Sequence, residues 1–73
     1  MTQYSAYSVT LSHIRVNGPV SFESICRYLI YQCPTINTME TAARLAIAAI
    51  DVLLDGQAIA REGEGELEAY VSN

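Results

Sequence analysis

The chain contains no lysine, and its four cations are the arginines Arg15, Arg27, Arg44 and Arg61. Eight carboxylates outnumber them and leave a formal charge of −4. Non-specific affinity for DNA comes mainly from several lysines and arginines that neutralise phosphates, so a monomer with this inventory holds nucleic acid weakly and repels it at long range. A general DNA-coating or RNA-binding role is disfavoured. Histidine occurs once, as His13, and there is no HExxH, CxxC, nucleophile elbow or glycine-rich phosphate loop. A metal site would have to gather His13, Cys26 and Cys33 from separate elements at a spacing that is not diagnostic of any metal. Serine, histidine and aspartate are present, but nothing places them together, and so small a fold has little room for a pocket. The expectation is therefore no metal, no cofactor, no small-molecule ligand and no enzyme activity.

Cysteine is also sparse. Cys26 and Cys33 are seven residues apart, which on one helix separates them by about 10 Å along the axis, beyond disulfide reach. They suit two small apolar residues of an inner face. Long apolar runs are missing too: the most apolar stretch, residues 45–54, is interrupted by Asp51 and falls short of the roughly 20 residues that cross a bilayer. Met1 to Ser8 carry no basic group and no apolar run, so neither a secretory signal nor a transit peptide is expected, and a cytoplasmic location is.

What is present is apolar side chain in quantity. With 51% hydrophobic residues in 73, the chain can build one core and one domain, though a core this small is marginal by burial against chain entropy. Dimerisation is the obvious remaining support.

Residues 1–9 are polar and bear Tyr4 and Tyr7; they read as an N-terminal arm or the start of a first helix, ahead of a single domain over 10–73. Leu11, Ile14 and Val16 predict a short helix near 8–16, stopped by Asn17-Gly18-Pro19. Ser21 can cap a second helix and Glu23 suits its positive end. Phe22, Ile25, Cys26, Leu29, Ile30 and Cys33 then keep to one helical face until Pro34 disfavours helical geometry at Cys33. Asn37 with Glu40 resembles a capping box with asparagine as the cap, and 38–55 runs without glycine or proline to Gly56. On that third helix Glu40, Thr41, Arg44, Ala48, Asp51 and Asp55 share a sector roughly 100° wide. The rest is mostly apolar, too wide for one contact. Leu45 and Val52 on one flank and Ile47 and Leu54 on the other need either two wrapping helices or a partner surface. Residues 58–62 and 66–71 flank Gly63-Glu64-Gly65 and predict a hairpin, with Leu67, Ala69 and Val71 on its inner face and Glu66, Glu68 and Tyr70 on the outer.

The fold class expected is mainly α with a small C-terminal β-hairpin. Its order of helix, helix, turn, helix and hairpin resembles the winged helix over residues 10–71, above all where Ile50, Leu53, Leu54, Gly56 and Ile59 run into Arg61-Glu62 and a glycine turn ending at Tyr70-Val71. The resemblance is one of pattern and picks out no particular family. It implies that the third helix enters the DNA major groove and that the hairpin, as a wing, touches the backbone. Thr38 and Thr41 would then meet phosphates and Arg44 a guanine edge. The chain departs from that pattern at the wing tip, Glu62-Gly63-Glu64-Gly65-Glu66, where a DNA-binding wing carries arginine or lysine.

Two sets of residues suit protein contact instead. Tyr28 and Tyr31 fall off the inner stripe of the second helix, and tyrosine favours interfaces because it buries a large ring and keeps a polar tip. Glu62, Glu64 and Glu66, followed by Glu68, recur at every second residue and would form an acidic comb if the strand continued through the turn; such a run otherwise serves as a solvated strand edge. The function expected is a small regulator working by protein contact, with self-association as a homodimer and transcription or a host process as its field. A dimeric DNA-binding transcription regulator is the alternative that topology favours and charge disfavours. The compact, acidic, lysine-free character also suits a bacterial or phage-encoded inhibitor of a nucleic-acid-binding protein.

Overall fold

The computed structural model describes residues 3–73, apart from the side chains at 3, 4 and 66. Three helices, α1 (Gln3–Asn17), α2 (Phe22–Gln32) and α3 (Met39–Asp55), precede strand β1 (Ile59–Glu62), a single 3₁₀ turn (Gly65–Leu67) and strand β2 (Ala69–Ser72). The strands pair antiparallel, with Ile59 opposite Ser72 and Arg61 opposite Tyr70. This is the α+β arrangement expected: three helices and a C-terminal hairpin.

Residues 3–9 are not an arm; they are the first two turns of α1. The reason lies in the stripe that α1 buries, which is Ala6, Thr10 and Ile14 at four-residue spacing, flanked by His13. Alanine, threonine and histidine make up three of those four residues and hydrophobicity undercounts them, so the sequence shows only the Ile14 end of the stripe. The Tyr4 side chain lies outside the described residues. Gly18 ends α1 with φ +73°, its N–H reaching the Ile14 carbonyl at 3.2 Å, as the Asn-Gly-Pro signal predicts.

Helix α2 starts and stops where expected. The Ser21 hydroxyl accepts from the Ser24 N–H, and Cys33 forms the C-cap. Ile25, Cys26 and Leu29 are buried, and both cysteines are free thiols. Helix α3 is capped one residue later than the asparagine reading places it: the Thr38 hydroxyl accepts the Thr41 N–H at 3.2 Å and donates to the Thr41 hydroxyl at 3.0 Å. Along α3 the buried residues are Ala42, Ala46, Ala49, Ile50 and Leu53. Three alanines on that stripe let neighbouring backbones approach closely, and α3 packs on both α1 and α2. The wide apolar arc is therefore wrapped by two helices, while its outer edges at Ile47 and Val52 stay half in solvent.

The hairpin differs from its expected register. Tyr70 is the buried residue of β2, together with Ile59 of β1, while Leu67 is 83% exposed. The two-residue period holds only inside a strand, and Leu67 sits in the 3₁₀ turn before β2 begins, so its parity carries no information about Val71. Tyr70 is fixed further by an isolated antiparallel bridge to Val20. The Tyr70 N–H reaches the Val20 carbonyl at 2.8 Å and the Val20 N–H reaches the Tyr70 carbonyl at 3.1 Å. The hairpin is thus tied to the α1–α2 connection. Its far end is closed by the Asn73 side chain, whose amide donates to the Gln57 carbonyl at 2.6 Å.

Candidate functional site

Two helical pairs at four-residue spacing, His13 with Asn17 on α1 and Ser24 with Tyr28 on α2, meet across the α1–α2 seam. The Asn17 amide nitrogen lies 3.1 Å from the His13 carbonyl oxygen, which can only accept. The same nitrogen lies 3.1 Å from His13 Nδ1, so Nδ1 is an acceptor and the ring proton is assigned to Nε2. Nε2–H then donates to Ser24 Oγ at 3.1 Å. Burial holds the His13 pKa below its ordinary value, because desolvation penalises the cation. A histidine that activates a serine must accept at Nε2; here the polarity is reversed, and the pair is a clamp between helices.

The His13 ring stacks on Tyr28 with centroids 4.2 Å apart and planes at 16°. Tyr28 in turn lies against Tyr31, 6.3 Å away at 25°. Of the three rings His13 is buried, Tyr28 half-buried, and Tyr31 78% exposed. The structure therefore brings the two sequence-predicted tyrosines together and backs them with a histidine that sequence reasoning assigned no contact. The available signal was the helical spacing of each pair, but nothing in the sequence aligns α1 against α2.

The predicted acidic comb does not form. The 3₁₀ turn interrupts the strand between Glu62 and Ala69, and alternation is lost where the backbone turns. Glu68 faces back across the hairpin to Arg61 at 2.8 Å, and the Arg61 guanidinium sits over the Tyr70 ring, 5.7 Å from its centroid. Glu62 and Glu64 are exposed at the tip; the Glu66 side chain lies outside the described residues. Burial, first of all, raises the Tyr70 phenol's pKa, and the hydroxyl donates to Glu68 at 3.3 Å.

On α3, Thr38 and Thr41 are occupied with the cap, and Arg44 donates to Glu40 at 2.8 Å. That exposed face sets Glu40, Asp51 and Asp55 against the single cation Arg44. Arg27 is likewise paired with Glu23 at 2.6 Å. At the turn between α2 and α3, Cys33 Sγ lies 2.9 Å from Thr35 Oγ1, a hydrogen bond that draws the thiol's pKa below its ordinary value. Among the described residues no three His, Cys, Asp or Glu side chains converge as a metal site, and no helix is long and apolar enough to cross a membrane. No protein-family model, curated protein or solved structure matches the chain.

Proposed function

We propose that the chain is a small non-enzymatic regulatory protein of the cytoplasm that uses a winged-helix-like scaffold for protein–protein contact, with transcription or a host process as what it modulates. The observation that carries this is the stack of His13, Tyr28 and Tyr31, which ends in a tyrosine 78% exposed. A ring supported from beneath has little freedom left to lose on binding, and aromatic anchors of that kind dominate protein interfaces. The winged-helix part is supported by the pairing of Val20 with Tyr70, which seats the hairpin beside the helices as a wing is seated.

DNA binding through α3 is disfavoured by the Arg44–Glu40 pair: a guanine contact would first have to break it, on a face that carries three carboxylates. The polarity of the His13–Ser24 contact weighs against nucleophilic catalysis there. The acidic-inhibitor version gains from Glu62 and Glu64, exposed carboxylates with no ion-pair partner among the described residues. A basic partner surface would complement them.

A photoreactive residue placed at Tyr31, compared in living cells with the same residue at Asp51 on α3, tests the proposal. The expected result is a polypeptide adduct at position 31 and none at 51. Nucleic-acid adducts at 51, or silence at 31, would contradict it.

A further inference from the structure

The formal charge is segregated by element. Helix α1 has Arg15 and no carboxylate, for +1; α2 is neutral with Glu23 and Arg27; α3 carries −2; and the hairpin from Ile59 to Ser72 carries −3. Those contributions account for the whole −4. The molecule thus has one positive element and one strongly negative one. Three of the four arginines are already paired with carboxylates of their own chain, Arg27 with Glu23, Arg44 with Glu40 and Arg61 with Glu68. Among the described residues Arg15 alone has no such partner.

Arg15 lies on the outer face of α1, beside a shallow groove of about 350 Å³ lined by Tyr7, Ser8, Leu11, Ser12, Arg15 and Val16. The groove has a simple helical origin. Tyr7, Leu11 and Arg15 form one ridge at four-residue spacing, Ser8, Ser12 and Val16 form the next, and the hollow runs between them. It is apolar at Tyr7, Leu11 and Val16 and carries a cation at Arg15.

The wing tip offers the opposite chemistry. Gly63 and Gly65 have φ of +78° and +59°, and the Leu67 N–H bonds to the Glu64 carbonyl at 3.1 Å while the Glu68 N–H bonds to that of Gly65 at 3.2 Å. The turn is closed upon itself, so Leu67 is held outward, 83% exposed, on the same tip as the exposed Glu62 and Glu64, which have no ion-pair partner among the described residues. A leucine edged by carboxylates fits an apolar groove edged by a guanidinium.

We infer that the partner of the α1 groove is a second copy of this chain, whose wing tip seats Leu67 between Tyr7, Leu11 and Val16 and brings Glu64 to Arg15. Two-fold symmetry makes the contact twice, since each copy contributes one groove and one wing. A stable dimer needs roughly 600 Å² from each partner, a modest share of the 4653 Å² this chain exposes. The inference rests on the protein-contact proposal only in taking the partner to be a protein, and the Tyr31 surface stays free for another partner.

Sedimentation velocity of the full chain tests it at concentrations up to ~100 μM, in low salt and in salt of ~0.5 M, where surface charges are screened. The expected result is a dimer that salt weakens. Arg15→Glu and Leu67→Ser should each raise its dissociation constant at least about tenfold. Adding Glu64→Arg to Arg15→Glu should restore much of the loss. All three positions are exposed, and circular dichroism checks that each variant folds. A monomer throughout would overturn the self-contact and leave the Tyr31 proposal to its own crosslinking test. So would a dimer indifferent to Arg15→Glu and Leu67→Ser, or one that Tyr31→Ala alone abolishes.

Discussion

His13 accepts a hydrogen bond at Nδ1 and donates one from Nε2, so a second ring proton would point at the Asn17 amide donor. Its folded pKa lies below the ordinary value, which means the unfolded chain binds the proton more tightly. The neutral clamp's contribution is complete above the unfolded pKa of about 6.5 and is lost as pH falls through the folded one. Urea midpoints should therefore decline between about pH 7.5 and pH 5, and His13→Gln should flatten that limb. A limb of equal slope in the variant would assign the decline to other groups. Thr10 offers a second residue-scale test. Its hydroxyl is wholly buried with no hydrogen-bond partner among the described residues, so Thr10→Val, which keeps the shape and removes the orphaned oxygen, should gain about 1 kcal/mol in chemical denaturation. Neither feature was legible in the sequence. In the sequence His13 stands out only as the single histidine and Thr10 not at all, and the packing of α2 and α3 against α1 makes both interior. The tyrosines were legible as off-stripe residues, because the stripe of α2 is unambiguous.

At the scale of elements, the helices were legible where caps and periodicity agree and not where either is weak. Ser21, Gly18 and the Cys33-Pro34 stop fall where the structure has them, whereas α1 begins earlier because alanine and threonine form its buried stripe. The end of α3 is instructive. Gly56 looks like the left-handed stop, yet its φ is −82° and the left-handed residue is Gln57, at φ +61°. The Ala58 N–H reaches back to the Leu53 carbonyl at 2.9 Å, as in a Schellman closure with Gln57 in the position glycine prefers. Gln57→Gly should accordingly stabilise the fold by roughly 0.5 kcal/mol, the side-chain strain removed exceeding the added chain entropy; loss of stability in thermal melts would contradict that geometry. The hairpin answers in the opposite sense. A Cβ on Gly63, whose φ is +78°, would collide with the Leu67 carbonyl oxygen, so Gly63→Ala should open the tip and destabilise by about 1–3 kcal/mol. The hairpin's existence was legible from its glycines. Its register was not, because the 3₁₀ turn breaks the alternation that would have told Tyr70 from Leu67.

For the whole molecule, charge and aromatic exposure point the same way. The helix that would read DNA has its one cation neutralised by Glu40, the wing that would touch the backbone is acidic, and the supported aromatic surface lies across α1 and α2. Tyr31 lies against Tyr28 and is largely exposed, so Tyr31→Ala should cost less than about 1 kcal/mol of stability while removing polypeptide crosslinks from that face. The overall order of elements and the acidity of the hairpin were legible from the sequence; the meeting of α1 with α2, which stacks His13 on Tyr28, required the fold. The most direct test of protein contact against DNA reading is retention of random duplex DNA by the purified protein at low salt, with sequencing of whatever is held. The expected result is no retention even where electrostatics are strongest. An enriched, salt-sensitive motif that Arg44→Ala abolishes would contradict it and make α3 the reading head.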